Sequence, residues 1–369
     1  MATDNISSWP SFSAEEADAA RDVIASNHVN YWTGIAGREF EKEYAHWIGT
    51  SKAIALANGT LALDLALVAL GIGPGDEVIV TPRTFIASVS SVVSAGAIPV
   101  FVDVDHDSGN ISPETIKPAI TEKTRAIIPV HLGGWPCDMD GIMALAKKHN
   151  LFVIEDCAQA HGAKIDGGEG GLVTTDDEEL WSRMWSYKDH GKSWDAVYNR
   201  KHPPGFRWLH ESFGTNWRML EIQAAIGRIQ ISKMEEWTRL RTRNADALQD
   251  VFRSFPETVR CPAPDSRYTH AYYRQYAYIM PDGLKSGWTR DRVVEDIVAQ
   301  GYPAFQGSCS EVYLEKAFDG TDWRPGKRLP VALELGANSM MFLTHPTINE
   351  QQLENYCKAI GTTLEKSTR

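Results

Sequence analysis

Leu151-Phe152-Val153-Ile154-Glu155-Asp156-Cys157-Ala158-Gln159-Ala160-His161-Gly162 is the stretch whose reading decides the fold. Its first four residues form a short apolar run without polar alternation, the pattern of a strand covered on both faces. The run ends on acids, and the carboxyl end of a buried strand is where open α/β sheets place ligand-binding groups. Soon afterwards the chain reads Gly167-Gly168-Glu169-Gly170-Gly171 and resumes with Leu172-Val173-Thr174-Thr175.

Upstream of this stretch, strand-like and helix-like segments alternate. Apolar runs at 53–57, 77–81, 98–103 and 126–131 predict strands, and 61–70, 87–95 and 139–149 predict helices between them. Continuous β-branched runs separated by helices mean a mostly parallel sheet with helices on both faces. Downstream the pattern changes. Residues 176–185 read as a helix, 193–212 are polar and aromatic with no clear period, and 220–240 form a strong helix continuing to about Phe252. A strand at 272–280 and helices at 289–300 and 350–365 complete the reading. The fold class is α/β, with a large domain over residues 1–255 and a smaller C-terminal α+β domain over 256–369.

At 369 residues, 43% hydrophobic and 23% charged, the composition is that of an ordinary globular protein with ample core. A net charge of −11 argues against a general nucleic-acid surface, although a local pocket on an acidic protein can still be basic. Five widely spaced cysteines without a Cys-x-x-Cys pair indicate neither a disulfide framework nor a metal site, and they suit a reducing compartment. The N-terminus carries no secretory pattern, and no apolar run reaches the ~20 residues of a membrane span. The expectation is a cytoplasmic protein.

Five motifs have chemical readings, each beside a plainer one. Asn58-Gly59-Thr60 sits where a strand ends and a helix begins. The exposed N–H groups there hold phosphate, or Asn58 simply caps the helix. Gly71-Ile72-Gly73-Pro74-Gly75 follows a helix and precedes a strand, the reverse of a dinucleotide loop, and is a turn. Phe85, after the strand at 77–81, stacks on a planar ring or belongs to the core. Asp156 faces a pyridine nitrogen and keeps that ring protonated, or it caps the next turn. Residues 207–219 present Asn216 and Arg218 to an anionic group, or dock against a second subunit.

Taken together, these pieces resemble the sugar aminotransferases of the DegT/StrS type, within the fold-type-I pyridoxal-phosphate enzymes. The resemblance runs through Tyr31-Trp32-Thr33-Gly34, Phe40-Glu41, Asn58-Gly59-Thr60, Thr84-Phe85, His131-Leu132-Gly133-Gly134, Glu155 to Gly162, Gly168 to Gly171, His190-Gly191 and Asn216-Trp217-Arg218-Met219. Each element is weak alone, and their order is specific. The resemblance implies a large sheet of the seven-stranded type with pyridoxal 5'-phosphate as cofactor. It assigns the cofactor phosphate to Gly59 and Thr60, ring stacking to Phe85, and the pyridine nitrogen to Asp156. Gln159 would lie beside the ring hydroxyl, His161 near it, and Asn216 on the phosphate of the partner subunit's cofactor. The implied reaction moves an amino group from glutamate to a keto group of a nucleotide-linked sugar, in a homodimer with interface sites.

One departure matters. Between the Asp-x-Ala-x-x-His-Gly run and Gly-Glu-Gly-Gly, the family has a strand, a phosphate-binding serine and the Schiff-base lysine. Here Ala163-Lys164-Ile165-Asp166-Gly167 leads straight into Gly168. Roughly twenty residues, about one strand with its turns, are absent. Lys164, Lys188 and Lys192 are the nearby lysines, and none stands at the family's position. An interior strand would be lost, so the sheet must close over the gap or be destabilised. The alternative function is therefore a cofactor-binding homologue without the Schiff-base lysine, either a sugar-modifying enzyme of another kind or a catalytically inactive subunit.

Overall fold

A computed structural model describes residues 5–165 and 172–369. Short polar residues start several of its helices. Ser13, Asn58, Asp138, Asp177, Thr289 and Asn349 each precede a helix and accept a hydrogen bond from an N–H of its first turn. The first half runs α1 (Ala14–Ala25), α2 (Ala36–Ile48), β1 (Lys52–Ile54), α3 (Gly59–Ala69), β2 (Glu77–Val80), α4 (Ala87–Ser94), β3 (Ile98–Phe101), α5 (Pro113–Ile116), β4 (Thr124–Ile128), α6 (Met139–His149) and β5 (Phe152–Val153). Next come β6 (Lys164–Ile165), β7 (Val173–Thr175), α7 (Glu178–Lys188) and α8 (Glu221–Arg253). The C-terminal part holds β8 (Val259–Arg260), β9 (Tyr268–Thr269), β10 (Gln275–Ile279), α9 (Arg290–Ala299), α10 (Pro330–Asn338), β11 (Ser339–Phe342) and α11 (Glu350–Ser367).

The runs at 77–81, 98–103, 126–131 and 151–154 form a parallel sheet, as expected, and its order is β3-β2-β4-β5. Alternation sorts its residues between two cores. Val78, Val80, Ala126 and Ile128 pack with Leu67 of α3 and Val89 and Val92 of α4. Ile79 and Ile127 pack instead with Ile142 and Ala146 of α6. A third core joins Leu248 and Phe252 of α8 to Ala277, Met340, Phe342 and Tyr356. No helix among the described residues is long and apolar enough to cross a membrane.

The seven-stranded expectation meets a split. β7 pairs antiparallel with β1 alone, and β5 pairs with β4 alone, so both are edge strands among the described residues. Among the described residues no strand pairing closes the gap. After β5 the chain turns away through Ala160 and Ala163, and β6 pairs antiparallel with β9. The sequence reading also omitted α1, α2, α5 and α10 and the strands β6, β8, β9 and β11. α1 explains its own omission: its one buried residue is Glu16, so it shows no apolar stripe.

His270 gives the fold an acid-sensitive point. Its ring stacks on Tyr272 at 4.0 Å, and its Nδ1 accepts the Tyr272 N–H at 2.8 Å. Burial pushes its pKa down to about 3. The unfolded chain therefore takes up this proton first, and stability present above pH ~6.5 falls as pH drops toward 3. His270→Gln removes this share. Urea unfolding at pH 7 and pH 5 should show the variant losing about 2 kcal/mol less than the parent. An unchanged pH dependence would count against the buried neutral ring.

Candidate active site

The tip of β5 is continued toward β4 by backbone bonds. Asp156 N donates to Pro129 O at 2.9 Å, and His131 N donates to Asp156 O at 3.2 Å. This fixes Asp156 one step past the strand, with its carboxylate held at both oxygens. Ser88 Oγ donates to Oδ2 at 2.7 Å, and the Ala158 N–H donates to Oδ1 at 3.1 Å. The second bond is the turn cap of the plainer reading, and it leaves the first free to aim the group. Ser88 in turn shares a hydrogen bond with Thr84 at 2.8 Å, which ties Asp156 to the turn bearing Phe85. Ser88 was not legible in the sequence. The only signal was its place four residues after Thr84, in the first turn of the helix that follows.

Asp156 and Gly59 line one cavity of about 910 Å³. Gly59 opens α3, and a side chain there would meet nothing within 4 Å, so the helix N-terminus is open to a ligand. Asn58 accepts the Leu61 N–H at 3.1 Å, so the cap uses one donor and leaves its neighbours. Thr60 is exposed beside it. Phe85 is 70% exposed, which rejects the core alternative for it.

Thr60 and Phe85 are not among the residues lining that cavity, nor are Gln159, His161 and Asn216. Gln159 Oε1 accepts the Gly133 N–H at 2.8 Å, so the glutamine is tied to the 131–134 turn. His161 Nδ1 lies 3.5 Å from the Tyr44 hydroxyl of α2. Burial, with the positive charge of Arg241, lowers the His161 pKa. Asn216 is exposed and bridges Asp189 through the backbone. Its neighbour Arg218 pairs with the buried Asp189 carboxylate.

Two of the nearby lysines are committed elsewhere. Lys188 Nζ is 2.5 Å from Glu41 Oε1 and lies 4.5 Å from the centre of the Tyr31 ring, with its side chain fully buried. Lys192 Nζ pairs with Asp189 at 3.2 Å and sits 4.1 Å from the centre of the Trp32 ring. Neither lines the cavity that holds Asp156. The Lys164 side chain and residues 166–171 lie outside what the structure describes.

Several motif residues are structural. Glu221 caps α2 by accepting the N–H groups of Ala36 at 2.6 Å and Gly37 at 3.0 Å. A Cβ on Gly34 would fall 2.2 Å from that carboxylate, so glycine is required there. His131, Glu155 and Cys157 are close enough together to suggest a cation site. However, His131 Nδ1 accepts the Cys137 N–H at 2.9 Å, so a neutral ring carries its proton on Nε2 and gives it to Glu155. No lone pair faces the other two groups. The cluster is a hydrogen-bonded support for the strand tip.

The sequence profile of the DegT/DnrJ/EryC1/StrS aminotransferase family matches residues 10–167 and 165–361. An aminotransferase from Psychrobacter cryohalolentis, solved by X-ray crystallography, is 54% identical with a TM-score of 0.96, over 98% of this chain and 99% of that one. GDP-perosamine synthase of Caulobacter vibrioides is 34% identical over 373 positions, 93% of this chain and 95% of that protein. UDP-N-acetyl-3-dehydro-alpha-D-glucosamine 3-aminotransferase of Acidithiobacillus ferrooxidans is 34% identical over 360 positions, 91% of this chain and 90% of that protein. Set against 369 residues, those shares leave more than twenty aligned positions in each that only the relative fills. The family profile breaks at 165–167, where the sequence reading places the missing segment.

Proposed function

Because the chain belongs to the DegT/DnrJ/EryC1/StrS aminotransferase family, we propose that its site takes a pyridoxal-type cofactor and a nucleotide-linked keto-sugar. The observation that carries this is Asp156, oriented by Ser88 and opening on the same cavity as the N-terminus of α3. In this reading Asp156 holds the proton on the ring nitrogen, and Gly59 and Thr60 receive the phosphate. Phe85 covers the ring face, and Gln159 and His161 support its edge. When bound, the protonated ring supplies an electron sink for chemistry at the substrate carbon. The residues present fit the non-covalent contacts of such a group. The lysine that would attach it has no counterpart among the described residues.

The exposed rings of Phe206, Trp208 and Phe213, at 79, 83 and 98%, support a homodimer in which residues 193–217 meet the partner subunit. Asn216 would then reach the partner's cofactor. With glutamate as donor, the complete site transfers an amino group to the sugar. The engagement of Lys188 and Lys192 favours a second reading, in which this chain holds the cofactor without a covalent bond and does other sugar chemistry or none.

Equilibrium titration with pyridoxal and pyridoxamine phosphates tests both. Asp156→Asn should weaken binding about tenfold, or ~1.4 kcal/mol. Unchanged affinity would remove the central residue of the proposal. Borohydride that fixes cofactor to a lysine supports the aminotransferase reading, and saturable binding with no fixed lysine supports the second. Glutamate-dependent amination without a fixed lysine would overturn the requirement for one.

A further inference from the structure

We propose that the slot between β5 and β7 accepts one extended apolar strand of another polypeptide, flanked by a basic residue. The slot is the same cavity of about 910 Å³, followed from the Asp156 end down between the two strands. Its volume suits a single segment, not a domain.

Three independent observations give this shape a meaning. First, both walls are strand edges. Ile154 and Asp156 donate toward β4, so alternation turns the backbone groups of Val153 and Glu155 into the slot. Among the described residues β7 bonds only to β1, which leaves its other edge facing the same space. Rows of unpaired N–H and C=O groups are a template for strand addition. Second, the slot is lined by apolar groups, including Ala62 and Ala66 of α3 and Met143 of α6, and Phe152 is left 46% exposed. A strand entering it has both faces covered and must be apolar on both. Third, the family profile breaks between β5 and β7, and the relatives fill more than twenty positions that this chain lacks.

Charge sets the remaining chemistry of the occupant. Asp140, Glu155, Asp156 and Asp176 line the slot, and no lysine or arginine among the described residues does. An acidic segment is therefore repelled, and a lysine or arginine beside the apolar core is favoured. This binding needs no cofactor and stands whether or not the site is catalytic.

The test uses the full chain and a capped peptide of about eight residues, Lys-Ile-Val-Ile-Val-Thr-Val-Lys, with a control bearing proline in place of the central isoleucine. Binding should be saturable and at least tenfold weaker for the control. Amide exchange should slow at Val153, Glu155 and residues 173–175. Val153→Pro removes one slot-facing donor and should weaken binding. If that variant does not fold, Ala66→Trp fills the slot and should abolish binding while circular dichroism is unchanged. Absent binding, equal binding of the control, or protection elsewhere would each overturn the proposal. So would slow exchange of these amides in the free monomer. Self-association that protects the same amides would assign the slot to a second copy instead.

Discussion

Replacing Lys188 with methionine should destabilise the fold by about 3–5 kcal/mol, the usual cost of removing one partner from a buried ion pair. Glu41 would keep its carboxylate with the Ala55 N–H at 2.9 Å and the Tyr31 hydroxyl at 3.0 Å, and lose its cation. Two neutral donors do not balance a buried charge. Adding Glu41→Gln should recover a large part of the loss, since the double variant buries no charge. Urea unfolding of the parent, the two single variants and the double variant measures this cycle. A loss below about 1 kcal/mol for Lys188→Met would mean that the pair is solvated. The folded fraction should still bind cofactor as the parent does, which separates a structural lysine from a cofactor lysine.

Inserting the segment that relatives carry at the 165–167 junction has the largest qualitative effect. The inserted strand should pair with β5 and β7, raise stability by about 2 kcal/mol and block the peptide described above. The gain is small beside the apolar area covered, because ordering the backbone costs about 1–2 kcal/mol per residue. Supplied with the cofactor, the restored chain should be fixed to it by borohydride through the inserted lysine. A chain that gains the segment and shows neither covalent label nor protection of Val153 would mean that the sheet has rearranged.

What the sequence revealed depended on range. β5 and Asp156 were legible because an apolar run and the acid that ends it are neighbours. α6 was legible to the residue, because Asp138 caps it and Asn150, at φ 53°, ends it in the left-handed region. Ser88 on Asp156 and Glu221 on α2 were not, since their partners lie 68 and 185 residues away. Tyr31 and Glu41 could be recognised only as pieces of a family pattern. Their reason is Lys188, 147 residues downstream of Glu41. The gap was visible by comparison with the family, but the sequence did not say whether the flanking strands would close. Among the described residues they do not, and the chain leaving β5 pairs with β9.

The 33-residue helix α8 has a thermodynamic consequence. Its length of about 50 Å makes it a beam whose two ends pack in separate apolar cores. Glu221, its first residue, anchors the start of α2, while Leu248 and Phe252 are embedded among the C-terminal strands and α11. Loss of either end strips tertiary support from a helix that is too polar over much of its length to persist alone. Melting of one core therefore propagates to the other, and heat capacity should trace a single transition.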